Sequence, residues 1–147
     1  MSKTQSSSDI AALLMRCADT RTPPLVPVAR DLLIDGALRS ALRRKDWYVA
    51  TLDRAPVFGK DTLLHALYQS GEFPAYFGFN WDALKDTLCD FSWLPVNGGI
   101  ALIWRNPALL QQRAPEAYDT FIEVLDEAAA LRANAGAPPL RVLTPAN

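Results

Sequence analysis

The chain has few of the residues and motifs on which catalytic and metal sites are commonly built. Its 147 residues include one histidine, His65, and two cysteines, Cys17 and Cys89, which are not at zinc-ligand spacing. It contains no glycine-rich phosphate-binding loop and no GxSxG nucleophile motif. We therefore expect no metal site and no cofactor, and we expect both cysteines to be free thiols of a cytoplasmic protein.

Long apolar runs are also missing. No run approaches the roughly 18 residues that a membrane span requires. The first nine residues are polar and lack the apolar core of a secretory signal. We therefore expect no secretory signal and no contact with a membrane.

The formal net charge of −1 conceals an uneven distribution along the chain. Residues 1–45 carry eight basic and four acidic side chains, whereas residues 46–147 carry seven basic and twelve acidic ones. A sign difference between two parts of one chain indicates different surroundings or partners. We therefore predict a basic, helical N-terminal extension over 1–45 and an acidic domain over 46–147.

Hydrophobic periodicity predicts the α/β class. A first helix is expected from Ser8 or Asp9, a proline-rich break over 20–27, and a second helix over 29–44. Strands are expected over 48–52, 100–104 and 140–144, with helices between them. Strands that alternate with helices pair in parallel. The expected architecture is therefore a small three-stranded parallel sheet packed by helices, preceded by the extension.

Two predicted helices separate apolar from acidic residues. Asn80 is a favourable N-cap for one of them, and the other begins near Pro115. The first carries Asp82, Asp86 and Asp90 on one side, and the second carries Asp119, Glu123, Asp126 and Glu127, with no base before Arg132. A solvated face explains a single acidic helix. Two such helices beside a loop rich in aromatic residues favour a protein interface.

A specific motif joins that loop to the first acidic helix. Residues 72–88 read EFPAYFGFNWDALKDTL. This segment resembles the signature of the barstar family, intracellular inhibitors of the ribonuclease barnase. The matching positions are Pro74, Tyr76, Phe77, Gly78, Asn80, Asp82, Ala83, Leu84, Asp86 and Leu88, and Ile103, Trp104 and Arg105 resemble the end of the family's middle strand. The resemblance covers about residues 47–145.

The resemblance implies a barstar-like fold and a function without catalysis. It implies a cytoplasmic antitoxin or immunity-type inhibitor whose partner is a secreted or toxin-type ribonuclease with a cationic active site, and no direct contact with nucleic acid. Asp86 would occupy the phosphate site, Asp82 would support it, Tyr76 would pack at the cleft, and Glu127 would be peripheral. The full candidate partner-binding set is Tyr76, Phe77, Gly78, Phe79, Asn80, Asp82, Lys85, Asp86 and Glu127.

Some positions depart from the family pattern. Lys85 stands where the family often has an aromatic residue, and Phe79 where barstar has an acid. Both changes reduce the acidity of the face, so the target and the retention of inhibition stay open. Residues 1–46, which have no counterpart in the family domain, could form a docked helical pair, a dimer contact, or a basic arm that covers the acidic face.

Two other functions are compatible with the sequence. The fold could serve as an interaction domain without nuclease inhibition, since a fold does not determine a function. A metal-dependent hydrolase would have to use Asp82, Asp86 and Asp90 together with His65. Three acids in a ladder along one helix lack the convergent geometry of such a site.

Overall fold

The computed structural model describes residues 3–146, which form seven helices and four strands. The strands are β1 (Leu25–Val28), β2 (Trp47–Thr51), β3 (Gly99–Ile103) and β4 (Leu140–Pro145). The helices are α1 (Lys3–Ala18), α2 (Arg30–Leu33), α3 (Gly36–Arg44), α4 (Lys60–Ser70), α5 (Trp81–Asp90), α6 (Pro107–Arg113) and α7 (Pro115–Asn134). No helix in this range is both long and apolar enough to cross a membrane.

The strands form one parallel sheet in the order β1-β4-β3-β2. The α/β class and the parallel pairing are as predicted, but the expected number of three strands is wrong. β1 is the additional strand, and it overlaps the proline-rich segment 20–27, for which a break is predicted. The N-terminal extension therefore contributes an edge strand as well as helices.

The position of β1 explains why its proline is tolerated. The amides of Val142 and Ala146 donate to the carbonyls of Pro24 and Val28, 2.7 Å in each case. Along a parallel strand, alternate residues face the same neighbour, so Pro27 turns its nitrogen away from β4. A proline without an amide hydrogen is compatible with an edge strand in that orientation.

The helices of the extension also differ from the prediction. The helix expected over 29–44 is interrupted, because Asp35 accepts a hydrogen bond from the amide of Ala37 (2.9 Å) and caps α3 as a separate helix. α1 begins at Lys3, before the expected Ser8 or Asp9. The short helix α6 had no predicted counterpart.

Both faces of the sheet are covered, and the residues of β3 show how. Ile100 and Leu102 pack in a core with α4, α5 and α7, whereas Ala101 and Ile103 pack in a second core with α1, α2 and α3. Since successive strand residues point to opposite faces, the extension lies on the face opposite α5 and α7. The extension is thus docked on the sheet, and it does not cover the acidic face as an arm would.

A buried arginine joins the extension to the last strand. Arg141, on β4, is 3% exposed. Its guanidinium donates to the carbonyls of Cys17 (3.0 Å), Asp19 (2.9 Å) and Leu140 (2.9 Å). The first two carbonyls lie at the C-terminal end of α1, where backbone acceptors lack partners within the helix and a cation is favourable. Arg141 therefore fixes the end of α1 against the sheet.

Candidate functional site

The aromatic residues of the loop between α4 and α5 differ in their solvent exposure. Phe77 is 6% exposed and packs in the core, with its ring centroid 4.9 Å from that of Phe79. Phe79 is 36% exposed, has a left-handed backbone (φ 49°), and lies 4.5 Å from the His65 ring. Tyr76 is 82% exposed. Tyr76 is thus accessible to a partner and Phe79 partly so, whereas Phe77 holds the loop from below and is not available as a contact.

Asn80 and Gly78 connect this loop to α5. The Asn80 side chain accepts from the amide of Ala83 (2.8 Å) and donates to the carbonyl of Gly78 (3.2 Å). A Cβ at Gly78 would lie 3.1 Å from the Asn80 amide nitrogen, so a larger residue would crowd the cap. The predicted N-cap is confirmed. Both residues determine how α5 leaves the loop, and therefore where its first carboxylates point.

Helix α5 presents carboxylates on its outer side. Leu84 and Leu88 are buried, whereas Asp82 and Asp86 are exposed. Among the side chains of residues 7–146, neither carboxylate has an ion-pair partner. The predicted division between an apolar and an acidic side of this helix is confirmed, and the negative charge of both carboxylates is available to an approaching cation.

Helix α7 lies beside α5 and adds the second acidic surface. Lys85 Nζ and Glu127 Oε2 are 3.1 Å apart, which places Glu127 at the edge of the α5 surface. The hydrogen bond and charge of Glu127 raise the pKa of Lys85. The pair brings together two of the predicted site residues, but it also neutralises Glu127 locally. The acidic face, defined here as the exposed carboxylates of Asp82, Asp86, Glu123, Asp126 and Glu127, therefore contains one cation.

Comparison with known proteins identifies the family to which the chain belongs. The family model described as Barstar (barnase inhibitor) matches residues 47–143. The chain belongs to the barstar family. A search of curated proteins finds no significant match. The family match begins at β2, so β1 and the three helices α1, α2 and α3 lie outside it.

Beneath the acidic face of this barstar-family domain lies a second buried arginine. Arg132, on α7, is 3% exposed and donates to the carbonyls of Cys89 (3.1 Å) and Asp90 (3.0 Å) at the end of α5, and to that of Pro138 (2.7 Å). Its guanidinium lies 5.6 Å from the centre of the Phe91 ring. Arg132 fixes α5 relative to α7, and with it the spacing of the carboxylates.

The sequence did not identify Arg132 as a positioning residue, although one signal was present. It is the first base in a helix whose earlier charges are all acidic. A surface base in that position would relieve repulsion between the acids. Instead, the guanidinium satisfies carbonyls at a helix C-terminus, a role that depends on tertiary contacts between segments far apart in the chain.

The chemistry of the barstar-family site is that of exposed, fixed carboxylates. Among the residues that the structure describes, no group of three or more histidine, cysteine or acidic side chains could hold a metal ion. The His65 ring packs against Phe79 at an interplanar angle of 35°, and its Nδ1 lies 3.1 Å from the carbonyl of Asp61. The arrangement suits recognition of a cationic surface by carboxylates beside an exposed aromatic ring.

Proposed function

We propose that this protein inhibits a ribonuclease by placing α5 in the cationic cleft where the enzyme holds RNA phosphate. The observation that carries the proposal is the pair of exposed carboxylates of Asp82 and Asp86, which form no ion pair with a residue that the structure describes. The exposed Tyr76 ring lies in the loop that leads into the same helix. The description of the family as a barnase inhibitor supports it. Asp86 acts as the phosphate mimic, Asp82 strengthens the local negative potential, and Tyr76 packs at the rim of the cleft.

The expected partner is a secreted or toxin-type ribonuclease, and the protein acts as an antitoxin in the cytoplasm of the producing cell. A cleft that binds polyanions attracts the acidic face at long range, which raises the association rate and makes that rate fall with salt. Carboxylates that become desolvated against arginine or lysine in the cleft then slow dissociation.

The Lys85–Glu127 pair changes the expected selectivity. A target whose cleft is uniformly cationic meets one repulsive side chain at Lys85, unless Lys85 stays turned toward Glu127. A target with an acid opposite Lys85 gains a contact there. We therefore expect the preferred nuclease to carry a carboxylate at the rim of its cationic cleft.

Asp86→Ala tests the proposal against a matched control. The assay is inhibition of RNA cleavage by a barnase-type ribonuclease and by ribonucleases captured from cells on the immobilised protein. Asp86→Ala should weaken binding by several kcal/mol, the scale of an interface hot spot. Asp31→Ala removes one exposed acid from α2, on the other side of the sheet, and should change affinity by less than about 0.5 kcal/mol.

Two results would contradict the proposal. A loss under about 1 kcal/mol for Asp86→Ala would show that this carboxylate is not in the phosphate site. Stable capture of a partner that is not a nuclease, with no inhibition of RNA cleavage, would favour an interaction domain built on the same fold.

A further inference from the structure

A groove of about 840 Å³ runs along the free edge of the sheet at β2. Helix α3 forms one wall, helix α4 the other, and the loop after β2 closes one end. The groove lies outside the acidic face, since none of the acidic-face carboxylates lines it.

The floor of the groove offers unpaired backbone groups. The amide of Leu52 donates to the carbonyl of Ile103 (2.7 Å), which establishes that even-numbered residues of β2 face β3. The amide and carbonyl groups of Val49 and Thr51 therefore point to the free edge. Within residues 3–146 they have no backbone partner. An edge of this kind is a template for one more strand.

The lining carries three arginines and one glutamate, Glu72, so its net charge is positive. Arg39, Arg43 and Arg54 line the groove, and none of them forms an ion pair with any residue that the structure describes. Arg39 Nη2 donates to the Thr51 hydroxyl (2.6 Å), which holds this guanidinium beside the edge of the strand. Burial, with the like charges of Arg43 and Arg105, lowers the pKa of Arg39. These cations repel one another in the free protein, so an anionic occupant relieves that repulsion.

The combination of an open strand edge and unpaired arginines selects one kind of occupant. A second copy of this chain, paired edge to edge, would bring two sets of arginines together and is unfavourable. Single-stranded RNA needs free exposed rings on which its bases stack. Tyr48, in the groove, is half-buried and its hydroxyl donates to the Ser70 carbonyl, and the exposed His65 ring packs against Phe79 at a centroid distance of 4.5 Å. We propose that the groove binds an extended acidic segment of a partner protein, which adds to β2 as a fifth strand.

The proposed segment pairs its backbone with Val49 and Thr51 while its carboxylates reach Arg43 and Arg54. This site is independent of the acidic face, so the protein could hold a ribonuclease and the segment at the same time. The proposal does not depend on ribonuclease inhibition.

The probe is a capped eight-residue peptide of alternating glutamate and valine, added to the full-length protein. We expect saturable binding by calorimetry, and slower hydrogen exchange at the amides of Val49 and Thr51. Replacing every glutamate of the peptide by lysine should abolish binding. Methylating the peptide's backbone nitrogens on the edge that faces β2 should weaken binding at least tenfold, because the ladder hydrogen bonds are lost.

Protein variants separate the groove from general electrostatics. Arg43→Gln combined with Arg54→Gln should weaken peptide binding about tenfold or more, since both arginines are exposed groove residues. Arg30→Gln combined with Arg113→Gln removes the same charge from exposed positions outside the groove and should change affinity less than twofold. Equal effects of the two double variants would overturn the proposal. So would equal binding of the methylated peptide, or tighter binding of an RNA oligonucleotide or inorganic phosphate.

Discussion

Replacing Arg141 by methionine tests whether the extension is an integral part of the fold. The guanidinium makes three hydrogen bonds to carbonyls, and one acceptor belongs to Cys17, whose side chain is fully buried. Methionine fills a similar volume but donates nothing. The carbonyl of Cys17 would then stay buried without a partner, and that of the buried Leu140 would lose this donor. The carbonyl of Asp19, a half-buried residue, would be hydrated instead.

The expected magnitude follows from these contacts. Hydrogen bonds to a charged group contribute about 1.5–3 kcal/mol each. Burial of Arg141 removes water from its charge, and this desolvation lowers the pKa of the guanidinium. Methionine does not carry that desolvation cost, so part of the loss is offset. Hydration of the Asp19 carbonyl offsets more. We expect the free energy of unfolding to fall by about 2–4 kcal/mol, and Tm to fall by about 5–15 °C.

Urea denaturation and thermal unfolding measure this change, and Arg16→Met is the matched control. Arg16 is an exposed arginine on α1 whose one side-chain hydrogen bond to a described residue goes to the carbonyl of Pro27 (2.8 Å). Its replacement should cost less than about 1 kcal/mol. The reasoning is refuted if Arg141→Met costs less than about 1 kcal/mol, or no more than Arg16→Met.

Three further outcomes are expected. Asn80→Ala removes the acceptor of the Ala83 amide and should lower the free energy of unfolding by about 1 kcal/mol in urea; an unchanged midpoint would contradict the cap. Burial raises the pKa of Cys17 from 9.0 to about 11, so the folded state keeps a proton that the unfolded state releases as pH rises. Stability should therefore fall between pH 9 and 11 by up to about 1.4 kcal/mol per pH unit relative to Cys17→Ala, and parallel curves for the two proteins would contradict this. Lys85→Met should raise the association rate with a ribonuclease whose cleft is uniformly cationic and steepen its salt dependence, because Glu127 is no longer neutralised; a slower rate with such an enzyme would contradict this.

Local patterns sufficed for α5 and its cap. The spacing of Leu84 and Leu88 identifies the buried side, and Asn80 marks the start of the helix, because both signals depend on residues within one or two turns. Local patterns could not show which of the neighbours Tyr76 and Phe77 is exposed and which is buried. Both are aromatic, and the turn in which the Phe77 amide donates to the Pro74 carbonyl (3.0 Å) decides which ring enters the core.

Strand β1 could not be predicted from local sequence for a different reason. A proline within a short apolar stretch indicates a break when the segment is considered alone. Pro27 is compatible with a strand only because β4 lies on one side of it and no strand lies on the other. That information belongs to the sheet order, and residues more than a hundred positions away determine it. Arg132 and Arg141 likewise depend on acceptors from distant segments, Cys89 and Asp90 for Arg132 and Cys17 and Asp19 for Arg141.

The sheet converts the charge asymmetry of the sequence into a spatial separation. The acidic carboxylates of α5 and α7 lie on one face, and the basic end of α3 lies on the other, next to the β2 edge. A ribonuclease on the acidic face therefore need not displace the extension. Removing residues 1–45 would expose the buried face of Ala101, Ile103 and Leu143 and leave β4 unpaired on one side. A change of affinity in such a truncation would therefore combine loss of stability with any direct role of the extension. Arg141→Met in the intact chain weakens the same attachment while leaving that face covered, and it is the cleaner way to ask what the extension does.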